Sequence, residues 1–343
     1  MYFRQVIFLR KYAGLLAGIL TILISFFFKS YPGLTDVFYG LGIYPVIRTL
    51  LDLILILFPF SLLLLFIFLV LLLLVLSIRK RSFRGVLNLA GWLIVAFYWL
   101  WGFNYFKSTL NENINLEVIS IDLDQREKLI QSTLEHAIFL SNLLKDNAPI
   151  ATKDLNQEII SACGKTTSQI NGITTSKTAP VAMFPKSLFL RIGITGMYFP
   201  FTGQAHYEPM LGEISRPFTM AHEWFHAAGV APESEANFLA YVSLINSNSD
   251  KLKYAAEMNL LIELLIFYKL TDHPKYLFYR EQFTSKMDVD LKNRNALYQK
   301  YSNVVSKKSD VVINQYLKMQ NQHGISDYHR LADWVVAWGV RGE

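Results

Sequence analysis

His222-Glu223-Trp224-Phe225-His226 is an instance of HExxH, and it stands well away from any membrane-spanning run. On a helix its two histidines lie one turn apart on one face, so both imidazoles reach a single metal ion. Glu223 is displaced from His222 by about 100°. It sits close to the metal position but is turned away from easy ligation, which suits a base acting on water. The run Pro217-Phe218-Thr219-Met220-Ala221 leads into the motif with apolar residues, so a buried helix is expected. Buried histidines need partners, which argues against a pair of surface histidines on an ordinary helix.

Catalytic zinc takes three protein ligands and leaves a fourth position for water. After His226 the chain runs Ala227-Ala228-Gly229-Val230-Ala231-Pro232-Glu233-Ser234-Glu235-Ala236-Asn237. Gly229 suits a helix C′ residue in the left-handed region, and Pro232 suits the start of a second helix. A helix, turn, helix unit can return an early residue of the second helix to the metal. Glu235 is the expected third ligand and Glu233 the alternative; a helix N-terminal carboxylate complementing the macrodipole is the competing role for Glu235. The longer pattern HExxHxxGxxH fails, because its last position holds Pro232.

Zn2+ held in this way lowers the pKa of its water toward about 7, and Glu223 takes the proton as that water attacks a carbonyl. A further donor for the oxyanion must come from elsewhere in the chain. Tyr328, Tyr254 and His206 are candidates, each more often packed or solvated than catalytic.

Charge divides the chain. Residues 1–107 hold ten Lys/Arg against two acids, a balance of +8, and the total of +6 leaves −2 for residues 108–343. The basic character belongs to the apolar part and gives no reason to invoke nucleic acid. The single cysteine, Cys163, excludes an intrachain disulfide and a cysteine-based zinc site. Three apolar runs qualify as spans, at about 12–28, 53–78 and 86–105, and residues 1–107 are expected to form a membrane anchor. Lys29-Ser30-Tyr31-Pro32 offers no cleavage site for a signal peptide. Arg4, Arg10 and Lys11 precede the first span, and Arg79, Lys80, Arg81 and Arg84 fill the turn between the second and third. The positive-inside rule then places both in the cytoplasm and residues 108–343 outside it; in a bacterium this is a multi-pass inner-membrane protein with a periplasmic domain. These spans carry no internal charge and no inverted repeat, which leaves a channel or transporter without an ion pathway.

In residues 108–343 the expected fold is mainly α with a small β-sheet. Ser108–Val118 reads as a linker, and Asp122–Lys145 and Lys153–Cys163 as helices. Leu188–Ile194 and Gly196–Phe201 read as strands, one of them a possible edge for a peptide substrate. Helices are expected at Lys253–Lys269, Pro274–Lys286, Val304–Gln320 and Tyr328–Val340.

With HEWFH, Glu235-Ala236-Asn237, Trp101-Gly102-Phe103-Asn104-Tyr105 and Gly324-Ile325-Ser326-Asp327-Tyr328 in view, the chain resembles domain-of-unknown-function family 3810 over nearly its full length. These are bacterial membrane-anchored proteins placed with gluzincin-like zinc metallopeptidases. The resemblance implies a zincin-like domain with zinc at His222 and His226 and Glu223 as base. It supports Glu235 as third ligand and Tyr328 as transition-state support. Gln204 departs from it, standing where an acid is expected. The leading expectation is a membrane-anchored zinc metallopeptidase acting on peptides or proteins outside the cytoplasm. The alternative is a non-hydrolytic zinc-binding sensor or scaffold, which has no need of Glu223.

Overall fold

The structure, a computed structural model, describes residues 11–144, 151–301, 315 and 330–342. It divides into two units: residues 1–108 with 199–204, and residues 109–198 with 205–343.

In the first unit, three helices among the described residues are long and apolar enough to cross a membrane: α1 (Ala13–Ser30), α2 (Pro32–Leu55, π-helical over Asp36–Ile43) and α4 (Phe83–Leu100). Between the last two lies α3 (Leu63–Arg79), of 17 residues. At 1.5 Å per residue it is about 25 Å long, near the lower limit for a span. α1 and α4 run parallel. Asn88 Nδ2 donates to Lys11 O at 2.9 Å, Trp99 Nε1 donates to Thr21 Oγ1 at 3.2 Å, and the Phe28 and Phe103 rings meet at 4.9 Å. Their backbones touch at Gly14 and Gly91, where an added Cβ on Gly91 would sit 2.1 Å from Gly14 O. Small residues permit such helix contacts in lipid, where no hydrophobic force drives them.

A tight turn capped by Ser82 returns α3 antiparallel to α4. Phe66 at the start of α3 and Phe97 at the end of α4 both pack on Phe201. The start of α3 therefore lies at the same end of the bundle as the C-termini of α1 and α4. α2 joins α1 to α3, so it begins and ends there and does not traverse the bundle; Tyr39 OH donates to Trp99 O on the way.

One expectation is corrected here. The run 53–78 is not one helix: Leu53–Leu55 close α2, Ile56–Leu62 form a break containing Pro59, and α3 starts at Leu63. Proline supplies no N–H for a continuing helix, a constraint that a hydropathy run hides. Outside the expected spans, Arg48 and Asp52 are buried in α2. Thr21, Ser25, Arg48 and Asp52 face inward while Val46, Leu50, Leu53 and Leu57 face outward. This patterning is reversed relative to a water-soluble bundle and suits association with a bilayer.

In the second unit the chain starts with one helical turn, Leu110–Asn113, boxed by Thr109 and Glu112, inside the expected linker. α5 (Leu123–Leu143) follows with a capping box from Asp122 and Gln125, close to its predicted bounds. α6 (Thr152–Gln169) runs past its predicted end at Cys163. β1 (Val181–Ala182), β2 (Gly196–Phe199) and β3 (Gln204–Tyr207) form a sheet in the order β1-β3-β2. β1 is parallel to β3, pairing Val181 with His206. Leu188–Arg191 is a helical turn rather than the expected strand. Its apolar run alone cannot separate the two forms.

α7 (Ser215–Ala227) carries HEWFH, and α8 (Glu233–Ile245) and α9 (Asp250–Thr271) follow. α10 (His273–Arg280) and α11 (Ser285–Tyr301) divide the predicted helix at 274–286. α12 is Leu331–Gly342. Residue 315 apart, the expected helix at 304–320 lies outside the described residues, as does Tyr328. One apolar core, including Trp224, Phe225, Phe238 and Leu261, unites α5 to α9 with α12. Burial of such side chains contributes about 1.5–3 kcal/mol each. The unit is mainly helical with a small sheet, as expected.

Candidate metal centre

α7 is buried on nearly every side, with eleven of its thirteen residues buried, so its polar face is buried with the rest. His222, Glu223 and His226 are all buried. The helix ends as the sequence implies. Gly229 takes φ +88°, Gly229 N–H donates to His226 O at 3.0 Å, and Val230 N–H donates to Phe225 O at 3.1 Å. This pair of bonds is a Schellman ending, which needs a residue tolerant of the left-handed region at C′. It also aims the next carbonyl back at the helix, where Val230 O accepts from His226 Nδ1 at 2.8 Å.

Pro232 then opens α8, whose first residue, Glu233, brings Oε2 to 3.1 Å from His222 Nε2 and 3.3 Å from His226 Nε2. The two Nε2 atoms are 3.0 Å apart. Asn237, one turn after Glu233 and on the same helix face, accepts from His222 Nδ1 at 2.8 Å. Both imidazoles therefore spend their Nδ1–H on a protein oxygen and turn Nε2 toward Glu233. Outer hydrogen bonds of this kind fix the tautomer and orientation of metal-binding histidines.

Of the two carboxylates expected as third ligand, Glu233 rather than Glu235 lies with the histidines. Glu235 directs Oε1 to Leu110 N–H at 2.7 Å, and Glu233 joins the two histidines. Residues two apart on a helix diverge by about 200°, so both carboxylates cannot share one target. Once Asn237 is seen to orient His222, its i−4 neighbour Glu233 is the one that faces the cluster.

Burial pushes the Glu223 carboxyl up to about 7; the adjacent His222 and His226 and a hydrogen bond from Tyr198 N–H moderate the effect. Burial also works against a charged His226, but the Glu233 carboxylate outweighs it and holds the imidazole up at about 9. Burial disfavours a charged Glu233 in turn, and His226 and His222 reverse this, holding its carboxyl well below the usual range. The His226 imidazolium and the Glu233 carboxylate thus stabilise one another's charge.

Do these groups fit a metal ion? In a tetrahedral zinc site with bonds of about 2.0–2.1 Å, ligand atoms are about 3.3 Å apart. The three spacings of 3.0–3.3 Å match that figure. Glu223 Oε2 is buried with no hydrogen-bond partner among the described residues, an orphan acceptor beside the cluster. The donor set of two imidazoles and one carboxylate is that of known catalytic zinc centres.

β2, at one edge of the sheet, lies against the same carboxylate. An added Cβ at Gly196 would sit 2.6 Å from Glu223 Oε1 and 2.7 Å from Thr219 Cγ2, so only glycine allows α7 this close. Of the other donor candidates, His206 on β3 directs Nδ1 to Met197 O at 3.2 Å. Tyr254 donates to Asp290 on α11 at 2.9 Å and is not part of the cluster. Asn237, Val230, Gly196 and Tyr198 went unassigned in the sequence. Asn237 alone carried a local signal, as the i+4 neighbour of Glu233.

No curated protein and no solved structure matches the chain. Residues 39–336, most of its length, match the family described as "Protein of unknown function (DUF3810)", and the chain belongs to that family.

Proposed function

We propose that this protein is a membrane-anchored zinc metallopeptidase with a zincin-like domain. The observation that carries the reading is the convergence of His222, His226 and Glu233 beside the orphaned carboxylate oxygen of Glu223. His222 Nε2, His226 Nε2 and a Glu233 oxygen would hold the ion. Zinc bound there supplies Lewis acidity and an activated water. Glu223, with its carboxyl near neutrality, accepts the proton of the attacking water at Oε2 and passes it to the leaving amine. Burial keeps bulk water from competing for that proton. β2 is an edge strand, and a peptide added along it would lie next to Glu223.

The bundle supports the topology expected from charge, with α1, α3 and α4 falling on the three expected runs. α1, α3 and α4 traverse the membrane, and α2 lies across the outer end of the bundle. Lys11 and the turn at Arg79–Arg84 then share the cytoplasmic side, and the chain after α4 emerges outside. If α2 crossed as well, the basic turn would fall on the wrong side. The test is metal analysis of the purified full-length protein together with chelator-sensitive cleavage of a peptide library. One zinc per chain and hydrolysis abolished by 1,10-phenanthroline support the reading; a metal-free, inactive protein overturns it.

A further inference from the structure

α2 contains a buried ion pair for which an apolar helix has no need. Arg48 Nη2 lies 2.9 Å from Asp52 Oδ1, and both side chains are buried. Replacing such a pair by apolar residues of similar volume is often neutral or stabilising, so stability alone is a weak reason to keep it. Arg48 makes a second bond that supplies a reason: Nη1 donates to Gly203 O at 2.8 Å.

Gly203 is in the turn between β2 and β3, and that turn, residues 199–204, belongs to the first unit while the strand residues on either side belong to the second. Several contacts fix it. Gly203 has φ +68°, and an added Cβ would sit 2.7 Å from Leu51 Cδ1. Arg48, Leu51 and Asp52 occupy one face of α2 at spacings of three and four. The next residue, Gln204, donates from Nε2 to Phe60 O at 2.9 Å and accepts from Leu62 N–H at 2.8 Å, filling the break between α2 and α3. The turn closes on Phe199 O, which accepts from Gly203 N–H at 2.9 Å, and the Phe199 ring packs on Phe66. Tyr198, one residue back along the chain, gives its N–H to Glu223.

We propose that Arg48, with Asp52 and Gln204, is a positioning residue for β2: it clamps the β2–β3 turn and thereby sets where Gly196–Tyr198 lie beside Glu223. The consequence for substrate rests on the metallopeptidase reading, whereas the clamp itself does not.

The test uses full-length protein in phosphatidylethanolamine/phosphatidylglycerol nanodiscs. Arg48→Met/Asp52→Leu removes both charges together, and Gln204→Met leaves the pair intact. Amide hydrogen exchange across residues 196–207 is compared with that in α5 and α9, alongside zinc content and steady-state cleavage of an octapeptide. The clamp predicts exchange across 196–207 about tenfold faster or more in both variants, with α5 and α9 unchanged. KM then rises by about tenfold with zinc retained and kcat less affected. Unchanged exchange across 196–207 in a folded double variant overturns the proposal; if that variant does not fold, Gln204→Met decides in the same way. If the wild-type protein cleaves no peptide, the metallopeptidase reading fails and the exchange data still decide the clamp.

Discussion

Gly196 and Glu223 are in contact so close that a methyl group on the first would sit 2.6 Å from a carboxylate oxygen of the second. Edge strand and carboxylate are therefore placed by one another. Gly196→Ala must displace Glu223 or β2, and misplacing a reacting group by about 1 Å costs about 10²-fold in rate. We expect peptide hydrolysis to fall by that order with zinc retained, since the three ligand side chains are untouched. Kinetics and metal content on the same preparation check this.

Glu233 and Glu235 separate by function. Glu233→Gln should abolish stoichiometric zinc, because the cluster loses its only carboxylate. Glu235→Gln should keep zinc and lose stability, since Glu235 serves Leu110 N–H inside the fold. A weakened buried hydrogen bond of this kind costs about 1–3 kcal/mol. Metal titration and thermal unfolding of both variants test the assignment; zinc loss confined to Glu235→Gln would reverse it.

Asn237 accepts from His222 Nδ1 and so orients that imidazole. Asn237→Ala should lower zinc affinity by about 10–100-fold, the usual effect of removing an outer partner of a metal-binding histidine. Competition with a chromogenic chelator measures it.

Glu263 gives a stability prediction outside the metal site. Its Oε1 accepts from Ala332 N–H at the start of α12, and burial pushes its carboxyl from 4.5 up to about 7. The folded state therefore binds the proton more tightly than the unfolded state. The associated stability is fully present below about pH 4.5 and is lost as pH rises toward about 7. Glu263→Gln keeps an acceptor and removes the titration, so the fall in thermal midpoint between pH 5 and pH 7.5 should shrink relative to wild type. An equal fall in both proteins would contradict it.

What the chain discloses before folding is uneven, for physical reasons. HEWFH is a one-turn relation within a single helix, so local spacing carries it. Gly229 and Pro232 were legible because a left-handed C′ and a helix start are backbone constraints with few acceptable residues. The choice between Glu233 and Glu235 was not, because it depends on the rotation of α8 after the turn. Only the pairing of Asn237 with His222 and of Leu110 with Glu235, at long range in sequence, fixes that rotation. α2 was hidden for the opposite reason. Arg48 and Asp52 interrupt its apolar run, and each neutralises the other only once the helix forms. β1 and β3 are short, two and four residues, too few for alternation to show.

The central claim is that Glu223 moves the proton while His222, His226 and Glu233 hold the ion. Glu223→Gln in the full-length protein, assayed for bound zinc and for peptide cleavage on one preparation, tests it most directly. The account predicts one zinc per chain, as in wild type, with hydrolysis reduced by about 10²–10⁴-fold. Undiminished hydrolysis with zinc retained would contradict it.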